Sequence, residues 1–134
     1  MNGVLEVFKE HEVEFDEQVD LVIAPGAFEL PLIAQTLADT GRYHGVICLG
    51  CVIKGETAHF EAISMASSMG ILQASLQTDV PIGFGVLTVY NREQAISRSK
   101  PGPDNKGIEV ALAVVESIKA IQKIRGETEK EIEY

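Results

Sequence analysis

One run without a charged side chain constrains the fold of this sequence most. Residues 45–53 read Gly-Val-Ile-Cys-Leu-Gly-Cys-Val-Ile, a sequence of small, aliphatic and β-branched residues. A strand with one face in solvent alternates apolar and polar residues, whereas a strand covered on both faces is apolar throughout. The run therefore predicts a buried strand in a parallel sheet that has helices on both faces.

The segment directly after this run combines a turn with polar side chains. Gly55 permits a close backbone turn, and Glu56 and Thr57 follow where a helix is expected to begin. The first amides of a helix lack backbone partners and carry partial positive charge, so this position favours an anion such as phosphate. His59 lies in the first part of the same helix. The segment is therefore typical of a ligand site at the end of a strand.

Strand patterns alternate with helix patterns along the rest of the chain. This alternation predicts a parallel sheet with right-handed crossovers and helices on both faces. The helical spacing of Val4, Leu5, Val7 and Phe8 predicts an opening helix, and residues 12–18 read as a polar connection. In chain order we then expect a strand over 19–24, a helix over 28–40, the strand over 45–53, a helix over 57–76, a strand over 82–89, a short helix over 92–98, a helix over 106–124 and a charged tail over 126–134.

The size and charge of the chain limit the kinds of protein and of partner that are compatible with it. A length of 134 residues suits a single domain over residues 1–134. The net charge of −9 argues against nucleic acid as a partner, because binding a phosphate backbone requires a stripe of lysine and arginine. No stretch has the apolar length that crosses a membrane, and the first ten residues lack the basic and apolar parts of a signal peptide. We therefore expect a cytoplasmic protein without a membrane partner.

Cys48 and Cys51 have the C-x-x-C spacing of some redox and metal sites. A spacing of three within a strand places the two side chains on opposite faces, and no second pair is available to complete a zinc site. Thioredoxin-like pairs, moreover, lie at the start of a helix. We therefore interpret both cysteines as small, buried, apolar residues.

Three titratable side chains fall at the carboxyl ends of predicted strands, where parallel sheets bind ligands. His59 is suited to proton transfer near neutral pH, although a lone histidine is more often structural. Glu29 lies beside Phe28 and could bind hydroxyl groups, or it could be a first-turn glutamate that the helix dipole favours. Arg98 could grip a phosphate, or it could pair with the last carbonyl groups of its helix.

Other polar and aromatic residues also have two interpretations. Lys100 and Lys106 bracket a Pro-Gly-Pro segment and extend the one compact basic cluster of the sequence. Phe84 lies between two glycines that would admit a planar ligand, although a core position is the commoner explanation. His11 and His44 lie away from the carboxyl ends of the strands, and we interpret both as structural.

Five motifs follow one another along the chain. They are Pro25-Gly-Ala-Phe-Glu-Leu-Pro31, Gly50-Cys-Val-Ile-Lys-Gly-Glu-Thr-Ala-His-Phe60, Pro81-Ile-Gly-Phe-Gly-Val86, Glu93-Gln-Ala-Ile-Ser-Arg98 and Asn105-Lys-Gly107. Together they resemble the 6,7-dimethyl-8-ribityllumazine synthase family in order and spacing, and the second motif is highly specific. The resemblance covers the chain from about Gly3 to Ile124. Lys54 stands where the family often has arginine, and Ala58 where it often has proline.

The resemblance implies a flavodoxin-like α/β fold, a three-layer sandwich with a parallel sheet between helices. It also implies a transferase that condenses 5-amino-6-(D-ribitylamino)uracil with 3,4-dihydroxy-2-butanone 4-phosphate to 6,7-dimethyl-8-ribityllumazine in riboflavin biosynthesis. No metal or other cofactor is implied. The expected partners are these two small molecules and further copies of the chain, as a pentamer or a 60-subunit shell.

The resemblance further implies roles for individual residues. Ala27, Phe28 and Glu29 would hold the ribitylaminouracil, with Glu29 on the ribityl hydroxyls. Main-chain groups of Cys51, Val52 and Ile53 would contact the pyrimidine ring, and Phe84 would form a wall of the pocket. The backbone amides of Glu56 and Thr57 would bind the phosphate. Arg98 would clamp the phosphate from an adjacent subunit, Lys106 would add positive charge, and His59 would transfer protons.

The sequence departs from the family pattern at its N-terminus. Family members usually begin with a further central strand and a loop with an aromatic residue that stacks on the pyrimidine, and this sequence starts in the helix after that loop. Three explanations stay open: a truncation or misplaced start, a sheet closed differently or by another chain, or a shortened protein that retains only assembly. A non-catalytic, self-assembling shell protein is therefore the alternative to the enzyme.

Overall fold

The computed structural model describes residues 1–13, 15–53, 59–100 and 105–126. Six α-helices and two strands form in these residues, and a single 3-10 turn at Ala27–Glu29 leads into the third helix. In chain order the elements are α1 Asn2–Glu10, α2 Phe15–Gln18, α3 Leu30–Asp39, β1 Val46–Ile53, α4 His59–Thr78, β2 Ile82–Val89, α5 Arg92–Ser99 and α6 Lys106–Arg125.

The sheet of the described residues consists of β1 and β2, which pair in parallel. The register runs from Val46 opposite Ile82 to Ile53 opposite Val89, so both strands end at the same edge. Their apolar sequences suit a strand with helices on both faces. The strands predicted over 45–53 and 82–89 are confirmed to within one residue.

The α3 and α4 helices cover one face of the sheet. Ala34, Cys48, Ile71 and Val86 form a buried cluster there, and each of the four is at most 3% exposed. The two helices approach closely at Gly70, where an added Cβ would come within 2.8 Å of the Pro31 ring. Burial of a valine or isoleucine side chain stabilises a fold by roughly 1.5–3 kcal/mol, so this cluster is a main source of stability.

The α1 and α6 helices cover the opposite face. Val4 and Val7 of α1 pack against Ala111 and Val115 of α6 in a second buried cluster, with Ile47 and Leu49 of β1 beneath them. The order of layers is therefore two helices, the parallel sheet and two helices. This arrangement confirms the predicted three-layer α/β fold.

The predicted helix boundaries also agree closely with the structure. The helix predicted over 28–40 ends at Asp39, and Gly41 follows in the left-handed conformation, with φ of 74°. The last helix begins after Asn105 and ends before Gly126. The predicted tail beyond position 126 lies outside the described residues.

Two expectations near the N-terminus are wrong. Residues 12–18 are not only a connection, because Phe15–Gln18 forms the short helix α2. Residues 19–24 lie in neither strand, although their sequence predicted a strand. A strand requires a neighbour that pairs with its backbone groups, and this segment forms no ladder with β1 or β2. Leu21 and Ile23 are consequently 69% and 88% exposed.

A cavity of about 840 Å³ separates this segment from β1. Its lining includes residues 18–24 on one side and residues 42–51 on the other, together with residues of α1, α3 and α6. No residue of β2 contributes to the lining, so the cavity lies along the edge of β1 that β2 leaves open. The hydroxyl group of Tyr43 donates a hydrogen bond to the carboxylate of Asp20 and thereby connects the segment to the residues before β1.

Candidate functional site

The carboxyl end of the sheet brings the two most informative motifs to one edge. β1 ends at Ile53, at the carboxyl edge of the sheet, and α4 begins at His59. Glu56 and Thr57, the predicted phosphate-binding residues, lie outside the described residues. The predicted helix start near Thr57 agrees with the observed start of α4 to within two residues.

The turn at Ala27–Glu29 places three predicted ligand residues before α3. Gly26 has an extended backbone, and its carbonyl group accepts a hydrogen bond from the Glu29 amide at 3.2 Å. The Phe28 side chain is 63% exposed, so it contributes little to the core and is available to a ligand or another chain. Glu29 is half-buried. Ala27 lines the large cavity together with Cys51 and so faces the carboxyl half of β1.

A second cavity of about 420 Å³ lies between the sheet and α5. Gly50 and Cys51 of β1 contribute to its lining, and three cations join them from other elements: Arg92, Arg98 and Lys106. Arg92 and Arg98 belong to α5 and Lys106 begins α6, and together these charges create a local basic surface on an acidic chain. Such a surface is suited to a small anion, since guanidinium groups bind phosphate oxygens through paired hydrogen bonds.

Gly50 and Cys51 line both cavities, so the carboxyl half of β1 lies between them. One side presents Ala27 and the other presents Arg98 and Lys106. Cys51 is exposed and Val52 is half-buried, while Ile53 is the last residue of the strand. The structure thus gathers predicted pyrimidine and phosphate residues around one strand end.

Phe84 has a different environment. It pairs in register with Cys48, in the amino-terminal half of β2, and packs against the buried cluster of the α3 and α4 face. It contributes to the lining of neither cavity. Its role as a pocket wall therefore stays a prediction, and its observed contacts are those of a core residue.

Lys106 forms an ion pair with Glu109 at 3.4 Å on the surface of α6. Exposed pairs of this kind contribute little to stability, so the lysine can exchange this partner for a ligand at small cost. Arg92 also lines the second cavity, whereas the sequence pattern predicts only that it begins a helix. The signal that could have identified Arg92 is its charge just after the carboxyl end of β2.

The two cysteines differ in their surroundings. Cys48 is 3% exposed, and burial raises the pKa of its thiol to about 11. Cys51 is exposed, so the expectation that both cysteines are buried is wrong for this residue. Its position beside both cavities accounts for the exposure. Both thiols are free, and no group of three or more His, Cys, Asp or Glu side chains within residues 1–13, 15–53, 59–100 and 105–126 could hold a metal ion.

The remaining histidines lie away from the carboxyl edge. Nδ1 of His11 lies 3.0 Å from the carbonyl oxygen of Val7, which fits a structural role at the end of α1. His44 is exposed and precedes β1. Where the structure describes helices, none is both long and apolar enough to cross a membrane.

Comparison with known proteins adds independent information. Residues 1–122 match the family model described as 6,7-dimethyl-8-ribityllumazine synthase. The chain is 59% identical over 106 residues to 6,7-dimethyl-8-ribityllumazine synthase 1 of Caulobacter vibrioides, which covers 79% of this chain and 69% of the relative. It is 46% identical over 116 residues to the chloroplastic synthase of Spinacia oleracea, which covers 87% of this chain and 51% of the relative. The synthase of Desulfovibrio desulfuricans is 44% identical over 124 residues, or 92% of this chain and 79% of the relative.

Proposed function

The chain belongs to the 6,7-dimethyl-8-ribityllumazine synthase family, and we propose that its two cavities and the strand end between them carry the family reaction. The function is the transferase step of riboflavin biosynthesis that condenses 5-amino-6-(D-ribitylamino)uracil with 3,4-dihydroxy-2-butanone 4-phosphate. In this proposal residues 1–134 act as one domain. The observation that carries it is that Ala27 and Cys51 line one cavity while Arg98 and Lys106 together line the other, so neighbouring subunits can combine the two groups of predicted ligand residues in one site.

The ribitylaminouracil binds on the side of the large cavity. Phe28 packs against it, Glu29 accepts hydrogen bonds from ribityl hydroxyls, and Ala27 completes the turn that presents them. Main-chain groups of residues 51–53 bind the pyrimidine ring, and Phe84 is proposed as a wall of the same pocket. The exposure of Phe28 and Cys51 supports this assignment, because neither side chain is consumed by core packing.

The phosphorylated ketone binds on the basic side. Backbone amides of Glu56 and Thr57 hold the phosphate, Arg98 clamps it from an adjacent subunit, and Lys106 adds positive charge. Arg98 and Lys106 of one chain line the same cavity, which supports their binding one anion together. Two fixed cations and a turn of amides hold a phosphate without any metal ion.

His59 moves protons between the reacting groups. The 5-amino group of the pyrimidine attacks the ketone and forms a Schiff base with loss of one water, and phosphate then leaves by elimination. The ribitylamino nitrogen attacks the carbonyl group that forms after this elimination and closes the ring with loss of a second water. Each step moves a proton near neutral pH, where an imidazole works well as both acid and base. Holding both reactants in position supplies much of the remaining acceleration.

The partner of this chain in our proposal is a further copy of itself, as a pentamer or a 60-subunit shell. The α4 helix supports this assignment, because Met65, Met69, Leu72 and Leu76 recur at helical spacing and are 61–71% exposed. A stripe of four large apolar side chains in water favours association. We propose the cytoplasm as the compartment, in keeping with two free thiols, although the Spinacia oleracea relative is chloroplastic.

The test is formation of the lumazine from the two substrates, followed by absorbance, with the oligomeric mass measured on the same sample. We expect His59→Ala to lower kcat at least about 100-fold with little change in KM. We expect Arg98→Ala to raise KM for the phosphorylated ketone roughly 10-fold to 100-fold. Arg125→Ala, at the last residue of α6, is the matched control for Arg98→Ala, with expected activity near that of the unsubstituted chain. A folded assembly without turnover would contradict the enzyme and support the shell protein.

A further inference from the structure

Asn105 is a buried polar residue that lines the second cavity beside Arg98 and Lys106. Its side chain is 3% exposed and lies where α1, α5 and α6 meet. The Oδ1 atom accepts hydrogen bonds from the amides of Gly107 at 2.8 Å and Ile108 at 3.3 Å. The Nδ2 atom donates to the carbonyl oxygens of Ser99 at 3.1 Å and Lys100 at 2.9 Å. All the strong hydrogen-bonding capacity of the amide group is therefore directed to two helix ends.

These four bonds link the end of α5 to the start of α6. The last carbonyl groups of a helix and the first amides of a helix have no partners within the helix. Asn105 satisfies both kinds of orphan group at once, and the chain between the two helices lies outside the described residues. Gly3 confirms how tightly the amide is held, because an added Cβ there would come within 2.2 Å of Oδ1.

The residue that benefits from this link is Arg98. Ser99 directly follows Arg98, and its carbonyl group accepts one of the hydrogen bonds from Asn105. Ser99 and Lys100 form the end of α5. Asn105 also precedes Lys106 directly, and all three of Arg98, Asn105 and Lys106 line the second cavity. One buried amide thus sets the separation between the two cations proposed to hold the phosphate.

We propose that Asn105 is a positioning residue for phosphate binding, which acts through Arg98 and Lys106 without contact with the reacting atoms. This inference rests on the proposed function and deepens its phosphate site. A helix cap alone would require only the Oδ1 atom. The Nδ2 bonds across to α5 are the additional feature that a simple cap lacks.

Asn91, at the start of α5, is such a simple cap. Its Oδ1 accepts a hydrogen bond from the Gln94 amide at 2.9 Å, and the residue is exposed. Asn91→Asp and Asn105→Asp are therefore the same chemical change at two helix caps. Both retain the capping oxygen, since aspartate caps helices as well as asparagine does. Only Asn105→Asp removes donors to a second helix.

The experiment measures steady-state kinetics and oligomeric mass of the assembled protein for both variants. We expect Asn105→Asp to raise KM for the phosphorylated ketone about 10-fold, because a small displacement of a binding group has a large effect on binding and rate. We expect kcat and KM for the pyrimidine to change less than about two-fold, and Asn91→Asp to leave all three constants unchanged. The inhibition constant of inorganic phosphate should rise with KM for the ketone.

A double substitution separates positioning from general stability. If Asn105 acts through Arg98, Asn105→Asp adds less than about two-fold to the KM effect of Arg98→Ala, whereas independent effects multiply. Equal changes in every constant, unchanged KM for the ketone or full multiplication would overturn the inference. Asn105→Ser, which is smaller and uncharged, replaces the aspartate variant if that chain does not fold.

Failure of the proposed function gives a different result from failure of this inference. Absence of turnover in the unsubstituted assembly would contradict the enzyme alone. Titration with inorganic phosphate, with Arg98→Ala as reference, would then decide the role of Asn105. Weaker phosphate binding by Asn105→Asp would support positioning, and unchanged binding would contradict it.

Discussion

β1 and the segment at residues 19–24 are both rich in aliphatic and β-branched residues, yet only β1 belongs to the sheet. β1 pairs with β2 over eight register positions and packs against helices on both faces. Residues 19–24 face a cavity, and Ile23 is 88% exposed. The comparison teaches that strand propensity reflects how well side chains fit a pleated and half-buried surface, and that a neighbour must supply that surface.

A matched pair of substitutions should give the largest contrast between the two regions. Val86, opposite Gly50 in the sheet, is 2% exposed, whereas Val22 is 50% exposed. We expect Val86→Asp to lower the free energy of unfolding by about 4 kcal/mol or more, because it buries an unpaired carboxylate. Val22→Asp should change it by less than about 1 kcal/mol. Chemical denaturation at one protein concentration checks both, and a similar loss in the two variants would show that residues 19–24 are buried in solution.

Hydrogen exchange should show the same contrast in the unsubstituted chain. Amides of β1 and β2 that pair with each other open only with the sheet, whereas unpaired amides exchange from the native state. We expect peptides from residues 46–53 and 82–89 to exchange at least about 100-fold more slowly than residues 19–24. Comparable protection of residues 19–24 would mean that another strand pairs with them.

The pH dependence of stability should distinguish the buried side of β1 from its exposed end. Burial raises the pKa of Cys48 from an ordinary value of 9.0 to about 11, so its contribution to stability is complete below pH 9. Between pH 9 and about 11 the unfolded chain releases this proton and the folded chain retains it. Stability therefore falls by up to roughly 1.4 kcal/mol per pH unit as pH rises.

The cysteine variants test this assignment by denaturation across the same pH range. We expect the free energy of unfolding to fall less steeply with pH in Cys48→Ala than in the unsubstituted chain. Cys51→Ala should retain most of this pH dependence. Turnover should survive both substitutions. A slope that Cys48→Ala leaves intact would assign the loss to other groups, and a complete loss of turnover would give the pair a role beyond packing.

The smallest effect is expected at the hydrogen bond between Tyr43 and Asp20. This bond raises the pKa of Tyr43, because the protonated hydroxyl group donates to the carboxylate. Tyr43→Phe removes the bond in an exposed position, where single hydrogen bonds contribute little. We expect exchange of residues 19–24 to accelerate no more than about three-fold, with no change in residues 46–53. A larger acceleration would make this bond the main anchor of the segment.

Much of the architecture could be predicted because its signals are local. The apolar runs at residues 45–53 and 82–89 each form a strand, and the helices predicted over 28–40 and 106–124 end and begin within two residues of the expected positions. The family was also evident from the order of five motifs, and the comparisons confirmed it. A local sequence pattern predicts the secondary structure of a segment correctly when the elements that pack against that segment are present.

The sequence by itself determined a three-layer α/β domain, its family and the types of side chain that gather at a strand end. The tertiary structure alone decided that residues 19–24 remain outside the sheet, that Cys51 is exposed, and that Phe84 packs in the core. It also brought Asn105 within hydrogen-bonding distance of the end of α5. The physical reason is that pairing, burial and cavities depend on which distant residues meet, and no pattern within one segment specifies its neighbours.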